Sequence, residues 1–222
     1  MSFSNEWDER YRATTHMSVW PWSDLVSYVM RYAKPTNPLK CRVLEIGCGA
    51  GANIPFFKWL GVDYHAIEGS PTIVKALQDK YPEFARSIVC VDFTSDIPFA
   101  ESFDIVVDRA SMTHNDTASI KRGLALIHEK MVVGGAYIGI DWFSTNHTDF
   151  SKGTAHADGF TRQNILEGQF AGVGNVHFSN KAHLIELFEN FEIRILEEKK
   201  SLREIPKDNH LFASWNLYAT RR

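Results

Sequence analysis

A run of three glycines directly behind a strand constrains this chain more than any other feature. Val43-Leu44-Glu45-Ile46-Gly47-Cys48-Gly49-Ala50-Gly51-Ala52 passes from an apolar strand pattern through glycine into the start of a helical one. Glycine lets backbone approach a ligand closely, and the following helix aims its N-terminal amides at that ligand. A strand ending in such a loop belongs to an open α/β sheet, where ligands lie beyond the carboxyl ends of the strands.

The rest of the chain follows the same rhythm. Arg42–Ile46 reads as a buried strand, then a helix over roughly 52–60, a strand over Val62–Ile67, and a helix over Thr72–Tyr81. Strands are expected at Ser87–Val91, Phe103–Val107 and Ala136–Ile140. Between the last two lies a helix with Ile120, Leu124, Ile127 and Met131 on one face, capped by Asp116 or Thr117. This alternation predicts a mostly parallel sheet with helices on both faces. Residues 22–33 form a further helix, stopped by Pro35 and Pro38. The chain closes with a helix over 180–190 and two alternating strands, Phe191–Ile195 and Leu211–Ala219, which must pair antiparallel or lie apart.

A chain of 222 residues with 44% apolar content suits one domain with a continuous core. Its expected parts are a helical cover at 1–38, a ligand-binding core at 39–141, a lid at 142–179, and a closing helix and strand pair at 180–222. No window approaches the apolar length of a membrane span, and the first residues lack the pattern of a secretion signal. Three cysteines without metal spacing suit reduced thiols, so a cytoplasmic protein is expected. The net charge of −3, with scattered Lys and Arg, gives no nucleic-acid footprint.

The glycine string also satisfies the G-x-G-x-x-A dinucleotide fingerprint through Gly47, Gly49 and Ala52. Three features favour another ligand. Glu45, at the strand's carboxyl end, would repel a pyrophosphate and wants a cationic partner. None of the seven tyrosines has a lysine four residues on, as a dehydrogenase of this size would need. The terminal strand pair has no place in the parallel dinucleotide fold.

In these segments the sequence resembles the class I methyltransferases that use S-adenosylmethionine, over roughly 40–140 and 180–220. Glu45-x-Gly47-x-Gly49-x-Gly51 resembles their first motif, whose acid and glycines hold the methionine part of the cofactor. Glu68, in Glu68-Gly69-Ser70 about 20 residues after Gly47, matches the acid that takes the ribose hydroxyls. Asp92-Phe93 resembles the pair that meets adenine. Asp108-Arg109-Ala110 matches the segment that lines the methionine end and faces the substrate. The resemblance implies a Rossmann-like seven-stranded sheet of order 3-2-1-4-5-7-6, and a methyl transfer to an O, N or C atom of a small or medium-sized acceptor. An RNA or protein acceptor, or a cofactor-binding partner protein without catalysis, are the alternatives it leaves.

His114, just past the fourth strand, is the candidate catalytic side chain, set where histidine can bind substrate or move a proton. Its plainer reading is a histidine that packs or caps at a helix start. Trp7-Asp8-Glu9-Arg10-Tyr11 resembles the helix that covers the cofactor in small-molecule methyltransferases, with Tyr11 against it. Trp20 and Trp22 are candidates for the acceptor pocket. The long stretch from Trp142 to Ser179 reads as an irregular lid with apolar residues Phe150, Phe160, Ile165, Leu166, Phe170 and Phe178 and hinge glycines Gly168, Gly172 and Gly174. Its repeated His147-x-Asp149 and His156-x-Asp158 offer metal-type ligands, but solvated loop polars are the expectation and no metal is expected.

Overall fold

β1 (Arg42–Ile46) buries every side chain after its first, as a strand covered on both faces must. In the computed structural model, which describes residues 5–15 and 17–222, it lies at the middle of the sheet. Residues 1–4 and 16 of the expected N-terminal cover fall outside the described residues. β2 (Asp63–Glu68) and β3 (Ile88–Cys90) flank β1 on one side, β4 (Phe103–Arg109) and β5 (Met131–Phe143) on the other, all in parallel. Three short strands, β6 (Thr154–Ala155), β7 (Thr161–Gln163) and β8 (Val176–His177), form a separate antiparallel sheet. β9 (Phe191–Leu202) and β10 (Leu211–Arg221) complete the main sheet, β10 lying antiparallel between β5 and β9. The order is β3-β2-β1-β4-β5-β10-β9; counted over the seven main strands it is the expected 3-2-1-4-5-7-6.

The strand period of two sends neighbours to opposite cores. Val43 joins one core with Leu25, Phe57, Ile73 and Leu77. These come from α2 (Ser23–Tyr28), α3 (Ile54–Leu60) and α4 (Pro71–Lys80). Leu44 joins the other with Ile120, Leu124, Ile127 and Leu184, from α5 (Thr117–Lys130) and α6 (Lys181–Leu187). Phe57 is fully buried; truncation to alanine at such a site costs about 3–5 kcal/mol. Side-chain caps set three helix starts: Ser70 accepts from the Ile73 amide, Asp116 from Ser119, and Asn180 from His183.

The two sheet edges differ. β3 is three residues long, whereas β9 runs for twelve and carries Glu192, Arg194, Glu197, Glu198, Lys199 and Lys200.

Three departures from the sequence reading have local causes. The helix expected over 22–33 is α-helical only to Tyr28 and continues as a π turn over Val29–Ala33. Lys34 then turns left-handed (φ 41°) before Pro35, whose ring disfavours helical backbone in the preceding residue. β5 extends well past the expected Ala136–Ile140, because β4 and β10 both pair with it. The segment after β5 is irregular over most of its length but packed, with three short strands. Phe143, Ile165, Phe170, Val173, Val176 and Phe178 bury one another in a third core, capped by the small sheet. Leu166 instead stands 90% exposed.

Candidate functional site

The carboxyl ends of β1, β2 and β4 open into a cleft of about 350 Å³. The loop after β1 turns through left-handed backbone at Gly47 (φ 62°) and Gly49 (φ 51°). A Cβ on Gly47 would lie 2.4 Å from Ser111 Oγ, so only glycine fits. Ser111 uses that closeness, donating to the Ile46 carbonyl at 2.7 Å and tying the glycine loop to the loop after β4.

Glu45, Glu68 and Asp92 line this cleft. Glu45 accepts from Asn53 Nδ2 at 2.8 Å and from the Tyr64 hydroxyl at 2.6 Å. Burial, reinforced by the nearby Asp108 and Glu68 charges, pushes its pKa up to about 7 against those two donors. Glu68 accepts from the Gly49 amide at 2.8 Å through one oxygen and from the Ser70 amide at 3.0 Å through the other. Burial raises its pKa too, against those backbone donors. Asp92 accepts from the amide and hydroxyl of Thr94. Buried carboxylates held this way are stabilised by a cationic or donor-rich ligand. Each Glu68 oxygen, already taking one amide, retains capacity for one hydroxyl of a diol. Phe93, Gly69 and Cys48 supply walls beside these acids.

α1 (Asn5–Arg12) covers the cleft. Asp8 accepts from the Ser70 hydroxyl and pairs with Arg12 at 2.7 Å, fixing α1 to the start of α4. Arg10 reaches the other way, donating to the Ala171 carbonyl and, at 3.3 Å, to Gly172. Trp7 and Tyr11 both line the cleft, their ring centroids 5.9 Å apart. Trp22 lines it as well, its amide donating to Asn53 Oδ1 at 3.2 Å. Trp20 does not: it stands 77% exposed beside Pro55, Trp59 and Tyr81, in a separate surface groove.

His114 sits at the end of a 3₁₀ turn (Met112–His114) with its ring 4.8 Å from Trp7, edge to face. Arg109, the last residue of β4, lies over the Trp22 ring at 3.7 Å and pairs with Asp141 at 3.0 Å. Ala110 (φ 59°) and Asp141 (φ 56°) hold left-handed backbone without being glycine. Such strain costs roughly 1–3 kcal/mol per residue and clusters at functional sites.

Tyr11, Glu45, Gly47, Gly49, Glu68, Gly69, Asp92, Phe93, Arg109 and His114 thus share one cleft. Gly51, Ser70 and Asp108, candidates from the sequence, do not line it. A Cβ on Gly51 would meet Leu77 at 2.6 Å, so that glycine serves helix packing. Ser70 is consumed as the α4 cap and as donor to Asp8. Asp108 is fully buried and accepts from the Ser111 and Met112 amides, shaping the His114 loop from beneath. Sequence reasoning missed Asn53 and Tyr64, the donors to Glu45, and Asp141, the partner of Arg109. Tyr64, on the same face of the sheet as Glu45 and opposite Val43 two positions before it, was the available signal for the Tyr64–Glu45 pair.

The repeated His-x-Asp is a turn. His147 Nδ1 accepts the Asp149 amide at 3.0 Å, and His156 Nδ1 the Asp158 amide at 3.4 Å. His147, Asp149 and His210 bring ligand-type atoms within 4.8 Å of one another. An accepting Nδ1 leaves the proton of neutral His147 on Nε2, which then cannot ligate a cation. Lys152 stands 2.9 Å from Asp149, supplying the positive charge itself. Asp158 ties the lid to α5, accepting from Thr117 and Thr161.

Residues 43–135, from β1 into β5, match the family described as a methyltransferase domain. Solved structures share the fold. A methyltransferase from Methanosarcina mazei, S-adenosylmethionine-dependent, is 14% identical, with 91% of this chain and 99% of that one covered and a TM-score of 0.67. The N-methyltransferase NodS from Bradyrhizobium japonicum, in complex with S-adenosylhomocysteine, is 12% identical over 98% and 99%, with a TM-score of 0.63. A Rhodobacter sphaeroides chain provisionally described as a zinc-dependent alcohol dehydrogenase is 12% identical over 99% and 99%, at 0.66. Identities this low speak for the fold alone. A search of curated protein sequences finds no match. Residues 43–135 thus carry a methyltransferase domain, and the strand order is that of the Rossmann-like methyltransferase fold, whose cofactor is S-adenosylmethionine.

Proposed function

We propose that the cleft binds S-adenosylmethionine and that the protein methylates an O, N or C atom of a small or medium-sized acceptor, leaving S-adenosylhomocysteine. One observation carries this reading: buried Glu45 and Glu68 converge with Asp92 on a side-chain-free Gly47, in a cleft whose acids ask for a cation. A pyrophosphate would meet those same acids as like charge. When bound, the cofactor supplies a methyl group on a positively charged sulfur.

The residues divide the labour as follows. Glu68 takes the ribose hydroxyls, with Gly69 beside it, and Asp92 and Phe93 take adenine. Glu45, Gly47 and Gly49 hold the methionine end, Glu45 meeting its ammonium group. Gly51, Ser70 and Asp108 act one step back, shaping the loops that touch ligand. Trp7 and Tyr11 close the cleft and exclude water, which favours loss of charge at sulfur. His114 faces the acceptor and takes a proton only where the acceptor must lose one. A cleft of about 350 Å³, covered by α1, favours a small acceptor over RNA or protein.

No described helix is long and apolar enough to cross a membrane, and a cytoplasmic setting is part of this reading. Thermal melting with S-adenosylhomocysteine or NAD tests the cofactor. The former should raise the midpoint by mass action and NAD should not. A shift from NAD alone, or equal shifts, rejects the proposal.

A further inference from the structure

Arg109 is the only lysine or arginine among the described residues lining the cleft. Its guanidinium is held on two sides: Trp22 beneath it at 3.7 Å, Asp141 at 3.0 Å on one terminal nitrogen. Its Nε, fully screened from solvent, has no hydrogen-bond partner. An arginine carries five N–H donors in a rigid fork, and buried donors are rarely left unsatisfied in a finished site.

The surrounding backbone is built to hold this arrangement. Asp141 keeps its left-handed conformation because its amide donates to Asn216 Oδ1 at 3.1 Å and its carboxylate accepts from the Ser214 hydroxyl at 3.0 Å. Ala110, the strained residue after Arg109, is fixed by its amide on the Ile140 carbonyl at 2.9 Å. Two strained non-glycine residues at adjacent strand ends thus anchor one cation. A plain surface ion pair needs no such support.

Position decides what the cation is for. Glu68 ends β2 and Asp92 lies two residues past the end of β3, to one side of the glycine loop. Arg109 and Asp141 end or nearly end β4 and β5, to the other side, beside His114 and Asn115. With the cofactor's nucleoside over β2 and β3, as proposed above, this second side is where an acceptor enters.

We propose that Arg109 docks a carboxylate of the acceptor, so that the natural acceptor is a small organic acid. The inference rests on the methyltransferase reading and names its substrate class. Trp22 and Asp141 pre-set the plane of the guanidinium, and the N–H donors that Asp141 leaves on its exposed end suit a carboxylate. The ordered pair explains why a cleft otherwise rich in acids keeps one arginine.

The test uses the full-length protein saturated with S-adenosylhomocysteine and a panel of small amines, phenols and alcohols, each as carboxylate and as matched primary amide. Melting shifts report binding, and labelled S-adenosylmethionine reports transfer. Carboxylates should bind about tenfold or more tightly than their amides. Arg109→Gln should abolish that preference, and Arg109→Lys, which keeps charge without the fork, should keep part of it. Failure of S-adenosylhomocysteine itself to bind strikes the methyltransferase reading. Binding of that ligand with no preference for any carboxylate over its amide overturns this proposal alone. A third arm compares S-adenosylhomocysteine with its decarboxylated analogue. If Arg109→Gln erases that difference and leaves the acceptor preference intact, Arg109 holds the cofactor's carboxylate and the proposal falls.

Discussion

The backbone carbonyl of Asn175 lies 3.1 Å from Nδ1 of His114. A carbonyl only accepts, so the ring proton sits on Nδ1 and Nε2 becomes the basic nitrogen. Asn175 is itself held by Gln163, whose side-chain amide donates to it at 2.8 Å. The lid therefore sets the tautomer of the residue most suited to proton transfer.

Nitrogen-15 NMR of the histidines should show His114 protonated at Nδ1 in the wild type and mixed in Gln163→Ala. His114→Gln should slow transfer to an acceptor that loses a proton by roughly 10²–10⁴-fold, with S-adenosylhomocysteine affinity unchanged. A wild-type ring protonated at Nε2 would contradict the assigned geometry.

Glu68→Gln keeps shape and removes charge. Cofactor affinity should fall by about 1.5–3 kcal/mol, the range for hydrogen bonds to a charged group. Calorimetry with S-adenosylhomocysteine measures it, and an unchanged affinity would reduce Glu68 to a loop fastener for Gly49 and Ser70.

Glu45, with its pKa pushed up to about 7, gives binding a pH dependence. An ammonium group beside it favours the charged form, so binding expels a proton below pH 7. Affinity for S-adenosylhomocysteine should rise as pH climbs from 5.5 to about 7, by at most about tenfold per unit, then level off. Glu45→Gln should flatten this rise, and Asp108, raised to about 6 by burial, should leave a smaller one at lower pH. A flat wild-type profile would remove Glu45 from the ligand.

Burial holds the His147 pKa down to about 4, below the unfolded value near 6.5. The unfolded chain then binds the proton first. The stabilisation is whole above pH 6.5 and is lost as pH falls toward 4, by up to about 1.4 kcal/mol per unit. Asp149, His210 and Lys152 surround the ring. Denaturant melts of wild type and His147→Phe between pH 7 and 4 should show a shallower acid loss in the variant. Parallel slopes would mean that His147 ionises freely.

Phe170 closes the lid core, its ring 4.5 Å from Phe143 on β5. Phe170→Ala should destabilise that core by about 3–5 kcal/mol and open the segment to protease near Gly168–Gly174, leaving the main sheet protected. Cleavage at wild-type rates would make the lid's order independent of this contact.

What the sequence disclosed followed periodicity. Apolar residues at strand and helix spacing located the parallel core, and Glu45, Glu68 and Asp92 stood at strand ends where the pattern required them. The lid escaped because its strands are two or three residues long, too short for any period to register. Its phenylalanines were visible, but what they bury is decided by contacts with Phe143, far back in the chain. Arg109 showed its address and not its partner: Asp141 lies on another strand, and only pairing of β4 with β5 brings the two together. Gly51 misled for the opposite reason. It shares the motif's spacing with Gly47 and Gly49, yet the third dimension turns it toward Leu77.

The unequal sheet edges bear on how this molecule behaves in crowded solution. An open strand edge is a template for another chain's backbone. β3 offers three residues, too few to nucleate much. β9 offers twelve, but six carry charge, and Lys199 reaches back across β10 to Asp24 while Arg194 and Lys200 pair with Glu192 and Glu198 along the strand. A second copy adding itself there would have to strip water from those ions without replacing their partners. The paired charges act as a guard against fibrils, and replacing them with threonine or valine would make this edge sticky while leaving the cleft unchanged.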